Sequence, residues 1–389
     1  MSITQKQKID FDSAPDRRGG DSFKWNRFAD PAQDVIGAWV ADMDFLSPPE
    51  VLDAVNTRLC GAALGYSDPP DELVSLLVER FWRLYQWRLE SSWFVFLPGV
   101  VPGLFGAVRA TGKEGDSVIA QSPNYHYMFD APECSERELA VVGNRLVDGR
   151  WEMNLDELRT LAGEGASSFL LCNPHNPVGR ILTRSELQSV ADICVEHGLM
   201  ICSDEIHADL LLDTDKPHIP IASLSADIEQ NSITLVSPSK TFNLPGIGGF
   251  AIAIIPNPAL RKSFEEKIHG LSVYPSALAC TAALAAYRDG GEWLAQLLEY
   301  LRANRDYLER EIASMIGLSM AHVEATFLAW INVSELKLDN AFEHFLAHGV
   351  ALSDGSPMGD SDYLRLNFAC SRATLEEIIK RMKKALYAK

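Results

Sequence analysis

Four short polar motifs carry most of the chemistry available to this sequence. They are Ser122-Pro-Asn-Tyr125, Asn173-Pro-His-Asn-Pro-Val-Gly179, Ser203-Asp-Glu-Ile-His207 and Ser237-Pro-Ser-Lys240, and each follows a short apolar run. Pointing at one edge, they imply a site with a lysine, an aspartate, a histidine, an asparagine and an aromatic ring. A lysine amine can form an imine with an aldehyde. A carboxylate can keep a pyridine nitrogen protonated, which turns the ring into an electron sink. An amide and an imidazole can hydrogen-bond a phenolic oxygen, and an aromatic side chain can stack on the ring face. The inventory suits a pyridine cofactor bearing an aldehyde. It also requires a neutral amine on Lys240, so the pocket must lower the lysine pKa.

These motifs need elements that bring them to one place. The runs 117–121, 168–172, 199–203, 232–236 and 250–255 have the length and β-branched content of buried strands. Helical patterns lie between them, such as 183–197, where Thr183 and Glu186 can form a capping box. Alternating strands and helices indicate an α/β unit with a mostly parallel sheet. In such sheets ligands bind outside the carboxyl ends of the strands, which is where the four motifs fall. Past Gly290 the pattern changes. Trp293, Leu297, Leu301, Leu308, Ile312 and Met315 recur at the spacing of one long amphipathic helix. Strand-like stretches at 327–333 and 363–369 and a final helix from about residue 375 complete an α+β piece. We expect a large unit over 49–288 and a smaller one built from 1–48 and 289–389.

Composition excludes several classes. The 389 residues are 47% hydrophobic and 23% charged, ordinary for a folded chain. A net charge of -18 disfavours nucleic acid and anionic membranes as partners. The seven cysteines are odd in number and include no C-x-x-C pair, which argues for a reducing compartment and against a disulfide framework or a zinc site. The polar N-terminus lacks the apolar core of a signal peptide. No apolar run reaches the about 18 residues needed to span a bilayer. The expected location is the cytoplasm, and no metal is expected.

The motif Ser237-Pro-Ser-Lys-Thr-Phe-Asn243, preceded by Ser203-Asp-Glu-Ile-His207 and His175-Asn-Pro-Val-Gly179, resembles fold-type I enzymes dependent on pyridoxal 5′-phosphate (PLP). More narrowly, the sequence looks like the MalY/PatB-type cystathionine β-lyase and C–S lyase branch of the class I/II aminotransferase superfamily. Trp39-Val-Ala-Asp-Met-Asp-Phe45, Gly65-Tyr66, Pro98-Gly-Val-Val-Pro-Gly-Leu104 and Arg365-Leu-Asn-Phe-Ala369 match that branch in the same order, so the resemblance spans roughly residues 35–375. It implies an aspartate aminotransferase-like fold: a three-layer αβα large domain with a mostly parallel sheet, plus a smaller α+β domain.

The resemblance also implies roles. Lys240 would carry the cofactor as a Schiff base and move the Cα proton. Asp204 would pair with the pyridine nitrogen. Asn176 and His207 would hydrogen-bond the phenolic oxygen. Tyr125 would stack on the ring, with His126 and Tyr127 as neighbouring candidates. Val100 and Val101 would offer backbone N–H groups to the phosphate and Ser237 and Ser239 their hydroxyls, although a Gly/Pro-rich turn there is also compatible with a plain loop. Arg365 would bind the substrate carboxylate, with Arg372 structural. Asn173 would line the pocket or serve a turn. Ala41 and Asp42 would lie near the substrate on an entrance segment, unless that segment is an ordinary linker. Tyr66 would reach across a homodimer interface into the neighbouring site. Gly248 stands where many related aminotransferases carry a phosphate-binding arginine, so the balance of the phosphate charge is left open. The glycines at 246, 248 and 249 precede a strand rather than opening a helix, which rules out a dinucleotide fingerprint.

The activity so implied is PLP-dependent β-elimination, cleaving cystathionine or a cysteine S-conjugate to a thiol, pyruvate and ammonia. An aminotransferase is the alternative, since nearly all cofactor residues are shared. A PLP-fold protein with a regulatory or binding role is a second one.

Overall fold

The computed structural model describes residues 8–30, 32–271 and 274–387. The terminal residues 1–7 and 388–389, assigned above to the smaller unit, lie outside them. An eight-stranded sheet dominates. Its order is Phe94–Leu97, Ala251–Ile254, Ser232–Val236, Met200–Asp204, Ser168–Cys172, Ser117–Ser122, Glu138–Val147 and Arg150–Met153. The five strands from Ser232–Val236 to Glu138–Val147 are parallel. The remaining pairings are antiparallel.

The three central strands 168–172, 200–204 and 232–236 are buried at every residue, as expected for parallel strands covered on both faces. Alternation sends their side chains to two cores. Leu170, Cys202, Ile233 and Leu235 meet Leu104 of the helix Val100–Ala110 and Phe264 of the helix Pro258–Ile268. Phe169, Leu171 and Ile201 meet Leu158 of the helix Leu155–Gly163 and Leu187 and Val190 of the helix Arg184–His197. The large unit therefore has three layers. The expected capping box at Thr183 and Glu186 is present.

Three strands of this sheet escape the sequence pattern. Phe94–Leu97 is hidden by the Pro98-Gly99 turn that follows it. The hairpin strands Glu138–Val147 and Arg150–Met153 form an edge that is mostly exposed, so their apolar alternation is weak. The signal for this hairpin was its turn: Asp148 and Gly149 both have positive φ, of 49° and 79°, which is the Asp-Gly preference of tight hairpins. The run at 250–255 is a strand but antiparallel. Only a short turn of helix, Pro245–Ile247, separates it from its neighbour, and a parallel connection would need a full crossover.

The helix Gly291–Ala313 leaves the sheet and buries Trp293, Leu297, Leu301, Leu308 and Ile312. Beyond it lie a four-stranded antiparallel sheet that includes Leu328–Asn332 and Tyr363–Asn367, and the last helix, Arg372–Tyr387. The N-terminal segment joins this part: Ile36–Gly37 pairs in parallel with Val350–Ala351. One core holds Phe11, Ile36, Met43 and Phe45 together with Trp293, Leu301, Phe327, Leu366 and Leu375.

Candidate active site

The topology gathers five strand ends on one edge. The strands ending at Ser122, Cys172, Asp204 and Val236 are mutually parallel. Phe94–Leu97 is antiparallel to Ala251–Ile254, itself antiparallel to Ser232–Val236, so its carboxyl end emerges on the same edge. That end leads directly into the helix Val100–Ala110, whose N-cap is Gly99 with no side-chain cap. The N–H groups of Val100 and Val101, at the first two helical positions, have no intrahelical acceptor, which makes them donors for an anion. Gly249 makes this approach feasible: a Cβ there would stand 1.4 Å from the Pro98 carbonyl oxygen.

On the next loop, Ser237 Oγ donates to the Phe250 carbonyl (2.6 Å), accepts from Ser239 N (3.1 Å) and lies 2.8 Å from Ser239 Oγ. Lys240 follows, and its Nζ donates to the Ala41 carbonyl at 2.7 Å. Burial, reinforced by the Arg365 charge and opposed by Asp42 and Asp204, lowers the lysine to about 8. Asp204 is 4% exposed. Burial pushes it up to about 7; Glu205 adds to the shift, while the Ile206 N–H (3.1 Å) and Lys240 oppose it. His207 is buried, its Nδ1 has no partner, and burial with the charges of Lys240 and Arg365 lowers it to about 3, so its ring is neutral.

The loop after Cys172 places two amides. Asn173 accepts from Leu182 N through Oδ1 (3.0 Å), and its buried Nδ2 is unpartnered. Asn176 Oδ1 accepts from Arg365 Nη1 at 3.0 Å. Arg365 is buried, and its Nη2 donates to the Trp39 carbonyl (3.0 Å) and Ser353 Oγ (3.2 Å). Its Nε has no partner. Among the described residues no carboxylate pairs with this cation, and burial lowers it to about 10. Tyr125 sits edge-on to His126 and Tyr127, with ring centroids 4.7 and 5.3 Å away. Burial holds its hydroxyl protonated, pushed up to about 12.

Two expected residues stand apart from this group. The Asp42 carboxylate is paired with Arg17 at 2.7 Å rather than free, and acts on Lys240 through its charge. Tyr66 is fully exposed, in a surface depression with Leu64, Tyr274 and Leu278, outside this chain's own pocket. Gly248 has φ +112° and faces Ser276. Arg372 packs on Tyr307 and donates to the Ala303 carbonyl, a structural placement. Motif reading missed Ser353, which sits opposite Arg365 in the small sheet. It also missed Asn243 and Asn367, whose amides hold the backbone of residues 40–45. Both asparagines lie inside the matched motifs, but nothing in their spacing announces that work.

The donor set fits PLP. The orphaned Asn173 Nδ2 and His207 Nδ1, a buried carboxylate at Asp204 with no ion pair among the described residues, an amine of lowered pKa and an open helix N-terminus are the features such a group would complete. The phosphate would be met by N–H and hydroxyl donors rather than by a guanidinium.

A sheet of this order with this set at its carboxyl edge defines an enzyme of the aminotransferase type. The family model for aminotransferase class I and II matches residues 34–382, and the chain belongs to that family. It is 35% identical to cystathionine β-lyase PatB of Bacillus subtilis, over 97% of this chain and 100% of that one. The solved structure of OvoB superposes with a TM-score of 0.95 at 40% identity, covering 98% of this chain and 100% of the other. Cystalysin from Treponema denticola, whose structure contains pyridoxal 5′-phosphate, gives a TM-score of 0.93 at 30% identity, covering 98% and 99%.

Proposed function

We propose that this chain is a PLP-dependent carbon–sulfur β-lyase acting on cystathionine or another cysteine S-conjugate. The observation that carries the reading is the buried Arg365 guanidinium, without a carboxylate partner among the described residues, whose charge and that of Asp204 both act on Lys240. A cation kept from water without a counter-ion is costly, and a substrate carboxylate supplies that ion as a bidentate partner. The similarity to PatB, named a cystathionine β-lyase, supports the choice of a sulfur substrate.

When bound, PLP supplies an aldehyde that captures the substrate amine and a ring that takes up the electron pair freed at Cα. The chain's residues do the rest. Lys240 Nζ holds the cofactor and afterwards takes the Cα proton. Asp204 keeps a proton on the ring nitrogen. Asn176 and His207 would hydrogen-bond the phenolic oxygen, Tyr125 would stack on the ring, and Val100, Val101, Ser237 and Ser239 would hold the phosphate. Arg365 fixes the carboxylate so that the Cα–H bond points at Lys240. The Cβ–S bond then breaks with its electron pair on sulfur. Substrate and water together yield a thiol, pyruvate and ammonia.

No described helix is long and apolar enough to cross a membrane, and all seven cysteines are free thiols; a cytoplasmic setting suits both. The large unit 49–288 and the smaller one from both termini are retained as the domain division. Exposed Leu64, Tyr66 and Tyr274 suit a homodimer interface that sends Tyr66 to the partner's site.

The test is pyruvate release from cystathionine or an S-alkyl cysteine by purified holoenzyme with no keto acid present. Steady turnover supports the lyase. One equivalent of product per site, with conversion of the cofactor to its amine form, supports transamination and overturns the reading.

A further inference from the structure

Lys24 is the most deeply buried charge in the N-terminal part of the chain. It lies in the short helix Phe23–Asn26, and its side chain has 0% exposure. Its Nζ stands 3.1 Å from Asp44 Oδ2 and 3.9 Å from Asp42 Oδ1, and donates to the Asp42 carbonyl at 3.3 Å. Arg17 completes the cluster, 2.7 Å from Asp42 Oδ2 and 3.5 Å from Asp44 Oδ1, and it donates to the Met43 carbonyl at 3.2 Å. Two cations therefore face two carboxylates behind residues 39–45. The fit is tight: a Cβ on Gly37 would stand 2.4 Å from the Lys24 carbonyl oxygen, and Trp39 Nε1 donates to that same oxygen at 2.9 Å.

The front of the same segment faces the pocket. The Trp39 carbonyl accepts from Arg365 Nη2 (3.0 Å) and from Ser353 Oγ (2.7 Å), and the Ala41 carbonyl accepts from Lys240 Nζ (2.7 Å). Both are backbone groups, so their positions depend on what anchors the segment: the amides of Asn243 and Asn367, the backbone bonds of Ala38 to Ala351 and Asn367, and the ion cluster at Asp42 and Asp44. Buried ion clusters of this kind contribute little net stability compared with apolar packing. Their directional contacts can instead fix one arrangement.

We propose that Lys24, acting through Asp42 and Asp44, is a positioning residue for the substrate-carboxylate site: it sets the segment 39–45 so that the Trp39 carbonyl holds the Arg365 fork in its binding orientation. The inference rests on the assignment of Arg365 to the substrate carboxylate. With the amine of Lys240 engaged by the cofactor, the Trp39–Arg365 bond is the link that persists, so the effect falls on carboxylate affinity rather than on proton transfer.

Replacing Lys24 alone leaves the buried Asp44 carboxylate underpaired and risks unfolding, so the test uses the holoenzyme of Lys24→Met/Asp44→Asn, which removes one charge of each sign. The measurements are KM and kcat for an S-alkyl cysteine, competitive inhibition by propionate (a carboxylate without amine or sulfur) and the thermal midpoint, with Arg365→Lys alongside. The expected result is a folded protein whose KM and propionate inhibition constant both rise about tenfold, the scale of one weakened hydrogen bond to a charged group, while kcat changes by less than about threefold. A folded double variant with unchanged KM and propionate inhibition, beside an Arg365→Lys enzyme that has lost both, overturns the role of Lys24 alone. Unchanged propionate inhibition in Arg365→Lys overturns the assignment of Arg365 and the inference with it.

Discussion

Lys240 and Asp204 shift in opposite directions from one cause. Burial disfavours charge on both, bringing the amine down to about 8 and the carboxyl up to about 7. A lysine so placed is partly neutral near physiological pH, as imine formation requires. The rate at which cofactor-free protein captures PLP should therefore climb through about pH 8 and level off above it. Stopped-flow absorbance would show this, and a midpoint near the ordinary lysine value would contradict it. For Asp204 the folded-state value is raised, so its contribution to stability is complete below the ordinary carboxyl value of 3.8 and is lost as pH rises towards about 7. Asp204→Asn should thus stabilise the cofactor-free protein above that pH by about 1–3 kcal/mol, by removing a buried charge, while abolishing turnover. Urea unfolding at both ends of the pH window reads this directly. Cofactor binding should erase the wild-type deficit, since a ring N–H supplies the missing partner.

At the scale of elements, the decisive feature is a set of strand ends sharing one edge. Much of this was legible. The runs leading to Cys172, Asp204 and Val236 are apolar and β-branched because both faces are covered, and the polar motif after each marks where the cover ends. Asn176, Asp204 and Lys240 stand out because each follows such a run within a dense cluster of Pro, Ser, Asn or charged residues. Other parts were not legible. Phe94–Leu97 is only four residues long, and the edge hairpin is buried only at Val142 and Trp151, too little to impose a pattern. The carbonyls of Trp39 and Ala41 carry no residue signature, and the contact of Ser353 with Arg365 depends on sheet register across a dozen residues. The helix Val100–Ala110 offers a test at its own scale. Proline suits the first helical position and removes only an N–H that the helix does not use. Val100→Pro should leave the thermal midpoint of the cofactor-free protein nearly unchanged and weaken PLP affinity about tenfold, roughly 1.4 kcal/mol. Equal affinity in a fluorescence titration would remove that N–H from the phosphate site.

The whole molecule joins the two ends of the chain in one core and sets that body against the sheet edge, so Arg365 on one side meets Asn176 on the other. The apolar surface around Tyr66 and Tyr274 is a second large-scale feature. Light scattering should give twice the 43.0 kDa chain mass, and Tyr274→Glu should shift the protein towards monomer with loss of activity; a fully active monomer would contradict the dimer. The chemistry depends above all on which amine meets the cofactor. Borohydride reduction of the holoenzyme followed by peptide mass spectrometry should place the pyridoxyl group on Lys240, with no adduct in Lys240→Ala. An adduct on another lysine, or none at all, would contradict that assignment.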